Sequence, residues 1–136
     1  MATRCQIGFY EKKPKIKELE TNVKGIIYRH WDGYPDDGGV LEDIVPFLTE
    51  WNLVRGISDY EYTCARLLQY LTNLIDKKDS TPLTLIAGTL GYGISNSFHQ
   101  DIEYYYAIYP SAVDVYEANI WNKTGPFKLI KTINIK

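Results

Sequence analysis

The chain contains 2 histidines, and each stands two residues before an aspartate: His30, Trp31, Asp32 and His99, Gln100, Asp101. On an extended strand, residues two apart point to the same side, so His30 shares a face with Asp32, and His99 with Asp101 and Glu103. Two such strands in one sheet would bring both imidazoles and their carboxylates together. Imidazole titrates near neutral pH, so His30 and His99 suit the roles of base and acid in phosphodiester cleavage, with Arg29 steadying developing negative charge. Asp32 and Asp101 would orient the rings. The same four residues are therefore the candidate catalytic set.

Imidazole with carboxylate is also a ligand set for Zn, Mn or Fe, and such sites hydrolyse phosphate esters. The sequence has no HExxH helix and no cysteine-rich ligand set, so no cofactor is expected, while a divalent metal stays open and its ligands unassigned. A third reading needs no turnover. Tyr28, Trp31, Tyr34, Tyr104, Tyr105 and Tyr106 offer stacking faces, and Arg29 and the histidines can meet phosphate or carboxylate. Tyr28, Arg29, Tyr34, Glu103 and Tyr105 are the candidate ligand contacts in this reading. Tyr104 and Tyr106 share parity with Ile102 and Ile108, which assigns them to the core. In the plainest reading, each histidine is only held by its aspartate at a strand end. The Gly91, Tyr92, Gly93 triplet lacks the third glycine and the strand-to-helix context of a phosphate loop and reads as a flexible turn.

These residues must be positioned by a single domain, since 136 residues leave no room for a second core of ordinary size. Hydrophobic residues at 45% and charged residues at 24% match a packed protein and argue against disorder. A net charge of -2 does not favour a nucleic-acid partner. The N-terminus lacks the apolar run of a signal peptide, and no stretch is long and apolar enough for a membrane span, so the expected compartment is the cytoplasm. Cys5 and Cys64 belong to no CxxC pair and read as buried free thiols.

Alternation of apolar and polar residues predicts strands over Thr3–Tyr10, Val23–Trp31, Asp101–Tyr109, Val113–Ala118 and Phe127–Ile135. Glu11 to Asn22, with Lys12, Lys13, Lys15 and Lys17 around Pro14, reads as a solvated connection between the first two strands, which form a hairpin. Apolar residues from Val40 to Trp51 fall at helical spacing, with Asp36 and Asp37 as capping candidates and Pro46 expected to bend or break the helix. Ser58 and Glu61 predict a capping box for a second helix, with a stripe of Tyr60, Cys64, Leu67, Leu68, Leu71 and Leu74. Asp76 to Thr81 reads as a polar exit loop, and Thr84 to Leu90 is apolar and of open type. The order ββααβββ predicts an α+β domain, a mainly antiparallel sheet covered on one face by two helices.

The stretches Ala2–Tyr10, Tyr28–Pro35 (YRHWDGYP) and His99–Tyr104 (HQDIEY) resemble those of small proteins of bacteria, archaea and their phages. The resemblance covers about a quarter of the chain and carries no activity with it. It implies that both His-x-Asp elements belong to one recurring architecture, in a mobile-element or viral setting. Three functions follow as expectations: a binding domain for a small anionic, nucleotide-like ligand or a protein partner; a small phosphodiesterase or nuclease; and a module that self-associates, as a homo-oligomer, through an aromatic sheet face or edge strand.

Overall fold

The computed structural model describes residues 3–79, 91–118 and 127–135, the side chains of 74–79 excepted. Strands β1 (Cys5–Phe9) and β2 (Gly25–Arg29) are followed by helices α1 (Val40–Val54) and α2 (Tyr60–Asp79). Strands β3 (Tyr92–Ser95), β4 (Tyr104–Tyr109), β5 (Ala112–Ala118) and β6 (Phe127–Asn134) complete the chain order. All six strands form one sheet in the order β3-β2-β1-β4-β5-β6. It is an α+β fold with a mainly antiparallel sheet; β1 and β4, at its centre, run parallel. Among the described residues, no helix is long and apolar enough to cross a membrane.

The extra strand is β3. Gly91-Tyr92-Gly93, expected as a flexible turn, pairs with β2 instead, Gly93 lying across from Tyr28 and Tyr92 from Arg29. The β1–β2 hairpin is as expected, Gln6 facing Tyr28 and Ile7 facing Ile27. The segment Asp76–Asp79, expected in a polar exit loop, belongs to α2; Ser80, Thr81 and Thr84–Leu90 lie outside the described residues.

The two helices cover one face of the sheet, as expected, and the reverse face is buried at its centre as well. Cys5, Ile7, Phe9, Ile27, Tyr106, Ile108, Val113 and Val115 pack beneath Val40, Ile44, Leu48, Leu67 and Leu71 of the two helices. On the reverse face Tyr10, Tyr105, Ala107, Tyr109 and Tyr116 form a second cluster closed by Leu19 and Ile102, with Val23 and Phe98 packed against it. The lysine-rich connection is thus solvated at its lysines and anchored by Leu19, whose carbonyl accepts the Tyr10 hydroxyl at 2.7 Å. Ile102, expected beside Tyr104 and Tyr106, joins the reverse face because β4 starts only at Tyr104.

The helix ends also depart from expectation. Val40 N–H donates to the Tyr34 carbonyl at 2.8 Å and Leu41 N–H to that of Pro35 at 3.2 Å, so backbone rather than Asp36 or Asp37 caps α1. A Cβ on Gly39 would collide with the Tyr34 carbonyl oxygen, which is why glycine stands at this N-cap. The helix continues through Pro46; Glu42, whose carbonyl the proline cannot serve, is exposed, so solvent can satisfy it. At α2 the Ser58–Glu61 box makes no hydrogen bond among the described residues. Thr63 N–H donates to the Asp59 carbonyl, and the Thr63 hydroxyl accepts the Trp51 indole N–H at 2.7 Å, clasping α2 to α1.

Candidate functional site

At the β3–β2–β1 end of the reverse face the apolar cluster gives way to polar groups. Tyr28 follows Ile26 on that face, two residues along β2, and His30 extends the same alternation just past the strand end. The Tyr28 hydroxyl and His30 Nδ1 are hydrogen-bonded at 2.8 Å. His99 arrives from the turn before β4 and stacks on Tyr28, with 4.8 Å between centroids and 29° between planes. Trp31, half exposed, meets the His30 ring edge-on at 4.7 Å. A row of four rings results: Trp31, His30, Tyr28, His99.

The loop carrying His99 is fixed by a buried amide. Gln6, fully buried in β1, accepts the His99 backbone N–H at 2.9 Å and donates to the Ser97 carbonyl at 3.0 Å. Asp101 stands near two nitrogen-bearing side chains, its Oδ1 3.8 Å from His99 Nδ1 and its Oδ2 3.7 Å from Arg4 Nε. Ser95 Oγ lies 3.5 Å from His99 Nε2. Tyr28, Gly93, Ile94, Ser95, Asn96 and His99 line an open groove of about 460 Å³. Burial first, and then the charge of Asp101, raise the Tyr28 hydroxyl above its ordinary value, with Arg4 partly opposing them. Tyr28 is therefore a neutral phenol at physiological pH, hydrogen-bonded to the His30 imidazole.

Of the expected residues, His30, His99, Asp101 and Tyr28 come together, and the others are placed elsewhere. The strand ends at Arg29, and Asp32 adopts φ 53°, which breaks the alternation that was to align it with His30. The Asp32 carboxylate instead accepts the Tyr34 hydroxyl at 3.3 Å, and both residues belong to the following turn. This turn is built tightly: Gly33 N–H donates to the Thr3 carbonyl, and the Gly33 carbonyl accepts the buried Tyr106 hydroxyl at 2.7 Å. Arg29 has the parity of Ile27 and faces the helices, where it holds Asp43 at 2.7 Å and the Trp31 carbonyl, also at 2.7 Å. It is buried and braces the turn. Tyr105 is fully buried, its hydroxyl bonded to that of Tyr10, so it offers no face to a ligand. Glu103 is exposed and contributes its backbone, N–H to Arg4 and carbonyl to Ala118.

Sequence reasoning missed Arg4, Gln6, Ser95 and Asn96. Arg4 and Gln6 alternate with Cys5 and Ile7, which marks their side of β1, but only the register opposite Tyr28 gives them partners. Among the described residues, no three His, Cys, Asp or Glu side chains stand together as metal ligands. No protein-family model, curated protein or solved structure matches the chain.

Proposed function

We propose that the polar end of the reverse face binds a small anionic ligand with a planar ring, a nucleotide-like molecule, without turning it over. The observation that carries this reading is the stacking of His99 on Tyr28 while His30 bonds the same phenol. Rings and donors suited to an aromatic anion thus gather in one exposed place, beside a groove with the Ser95 hydroxyl and Asn96 amide on its wall. Arg4 supplies permanent positive charge at its border.

Calorimetry with a nucleoside 5′-monophosphate tests the reading. Wild-type protein is expected to bind saturably, and His30→Ala and His99→Ala each to weaken binding about tenfold, roughly 1.4 kcal/mol. Heats that never saturate, or double-variant protein that binds as well as wild type, would overturn it.

One observation favours a second reading, metal-independent phosphodiester cleavage: both imidazoles of the chain contact a single phenol, which gives two proton-transfer groups in reach of one bound ester. Cleavage of an oligonucleotide in the presence of a chelator, lost in His99→Ala, would select this reading over simple binding. Intact oligonucleotide would remove it.

A further inference from the structure

We infer that the place now held by the Asp101 carboxylate, between Arg4 and His99, is the seat of the ligand's phosphate group, and that Asp101 competes with the ligand for it. The inference rests on the binding reading above and names where and how the anion sits. Asp101 presents one oxygen to each of these side chains, Oδ2 to Arg4 Nε at 3.7 Å and Oδ1 to His99 Nδ1 at 3.8 Å. Charge-assisted hydrogen bonds run at about 2.7–2.9 Å, so both pairs are longer by about 1 Å. The carboxylate is therefore attracted into a space wider than it fills. Its side chain is 56% exposed and sits in a surface turn, so turning it outward breaks no hydrogen bond.

A phosphomonoester suits the space better. It carries more charge than a carboxylate, and its three terminal oxygens can meet the Arg4 guanidinium and the His99 imidazole at once, with one oxygen left for solvent or a neighbouring hydroxyl. The ring of the same ligand is then in reach of the groove beside Tyr28 and Ser95. Asp101 in this account is a built-in anion that keeps the site occupied at low ligand concentration, and its removal tightens binding.

Inorganic phosphate titrated at low salt into wild type, Asp101→Asn, Arg4→Gln and Glu50→Gln separates the outcomes. Glu50 is exposed on the helix layer and controls for net charge. Asp101→Asn is expected to bind phosphate about twofold to fivefold tighter than wild type, an exposed charge pair's effect, while Arg4→Gln loses saturable binding and Glu50→Gln matches wild type. Phosphate affinity unchanged or weaker in Asp101→Asn overturns the inference, as does an equal gain in Glu50→Gln. If phosphate fails to saturate any variant while the nucleoside monophosphate still binds, the phosphate seat is wrong and the binding reading stands; if neither binds, both fall.

Discussion

Gln6 Oε1 accepts the backbone N–H of His99 at 2.9 Å, across most of the length of the chain, and its amide nitrogen returns a bond to Ser97. A single buried side chain thus joins the centre of the sheet to the loop that lays His99 on Tyr28. Gln6→Leu removes both bonds and leaves two backbone groups without partners, at a cost of about 1–3 kcal/mol. Hydrogen exchange at the His99 amide is expected to accelerate far more than exchange in β5. Unchanged protection at His99 would show that the loop is held by something else.

Arg29 is committed to the fold by its pair with Asp43, side chains 7% and 23% exposed. Burial works against its charge, and the Tyr92 hydroxyl and Asp43 carboxylate more than offset that, so Arg29 stays charged. Asp43→Ala strands this charge and is expected to lower stability by about 2–4 kcal/mol in urea unfolding, somewhat less than for a fully buried pair. Arg29→Met, which fills the same space without charge, is expected to cost less than Asp43→Ala. The reverse order would contradict the structural role given to the pair.

Asp114 is fully buried, with Oδ1 accepting the Tyr109 hydroxyl at 3.0 Å and the Thr132 hydroxyl at 2.7 Å, and Oδ2 without a partner among the described residues. An amide oxygen can accept the same two bonds. Asp114→Asn is therefore expected to lose less stability than Asp114→Ala, which orphans both hydroxyls and costs about 1–3 kcal/mol. Thermal unfolding of the two variants checks this, and a larger loss in Asn than in Ala would contradict it.

Stability should fall on the alkaline side. Burial pushes the Cys5 thiol from 9.0 to about 12 and the Cys64 thiol from 9.0 to about 11. Burial likewise leads in raising the Tyr92 and Tyr116 hydroxyls from 10.0 to about 12. The folded chain keeps these protons after the unfolded chain has begun to release them, so the unfolded state binds fewer protons and stability declines as pH rises. The contribution is whole below about pH 9, the ordinary thiol value, and drains away between there and about pH 12. Urea midpoints measured from pH 7 to pH 11 are expected to hold steady and then drop above about pH 9; a rising midpoint would contradict the burial of these groups.

Alternation made β1, β2, β4, β5 and β6 legible, because Ile7, Ile27, Tyr106, Val113 and Ile133 share the helix side of the sheet by simple parity. Parity alone could not reveal the register that sets Gln6 against Tyr28, or the parallel pairing of β1 with β4, since both depend on contacts remote in sequence. Tyr105 was misread because its face was taken as open; the reach of Leu19 and Ile102 over it follows from tertiary packing. His30 and Tyr28 were legible as neighbours on one side of a strand. Asp32 was not, because its left-handed backbone follows from the turn that Gly33 makes against Thr3, where a Cβ would lie 2.7 Å from the carbonyl oxygen. Asp101 reached His99 in a turn, by proximity instead of strand alternation.

The most direct test follows the carbon-bound ring protons of the two imidazoles by NMR while a nucleoside 5′-monophosphate is added to the intact chain. Because both rings touch Tyr28, their signals are expected to move together along one saturating curve, with a single dissociation constant that Tyr28→Ala weakens. Signals that stay still, or that move with unrelated curves, would contradict the claim that these rings form one binding site.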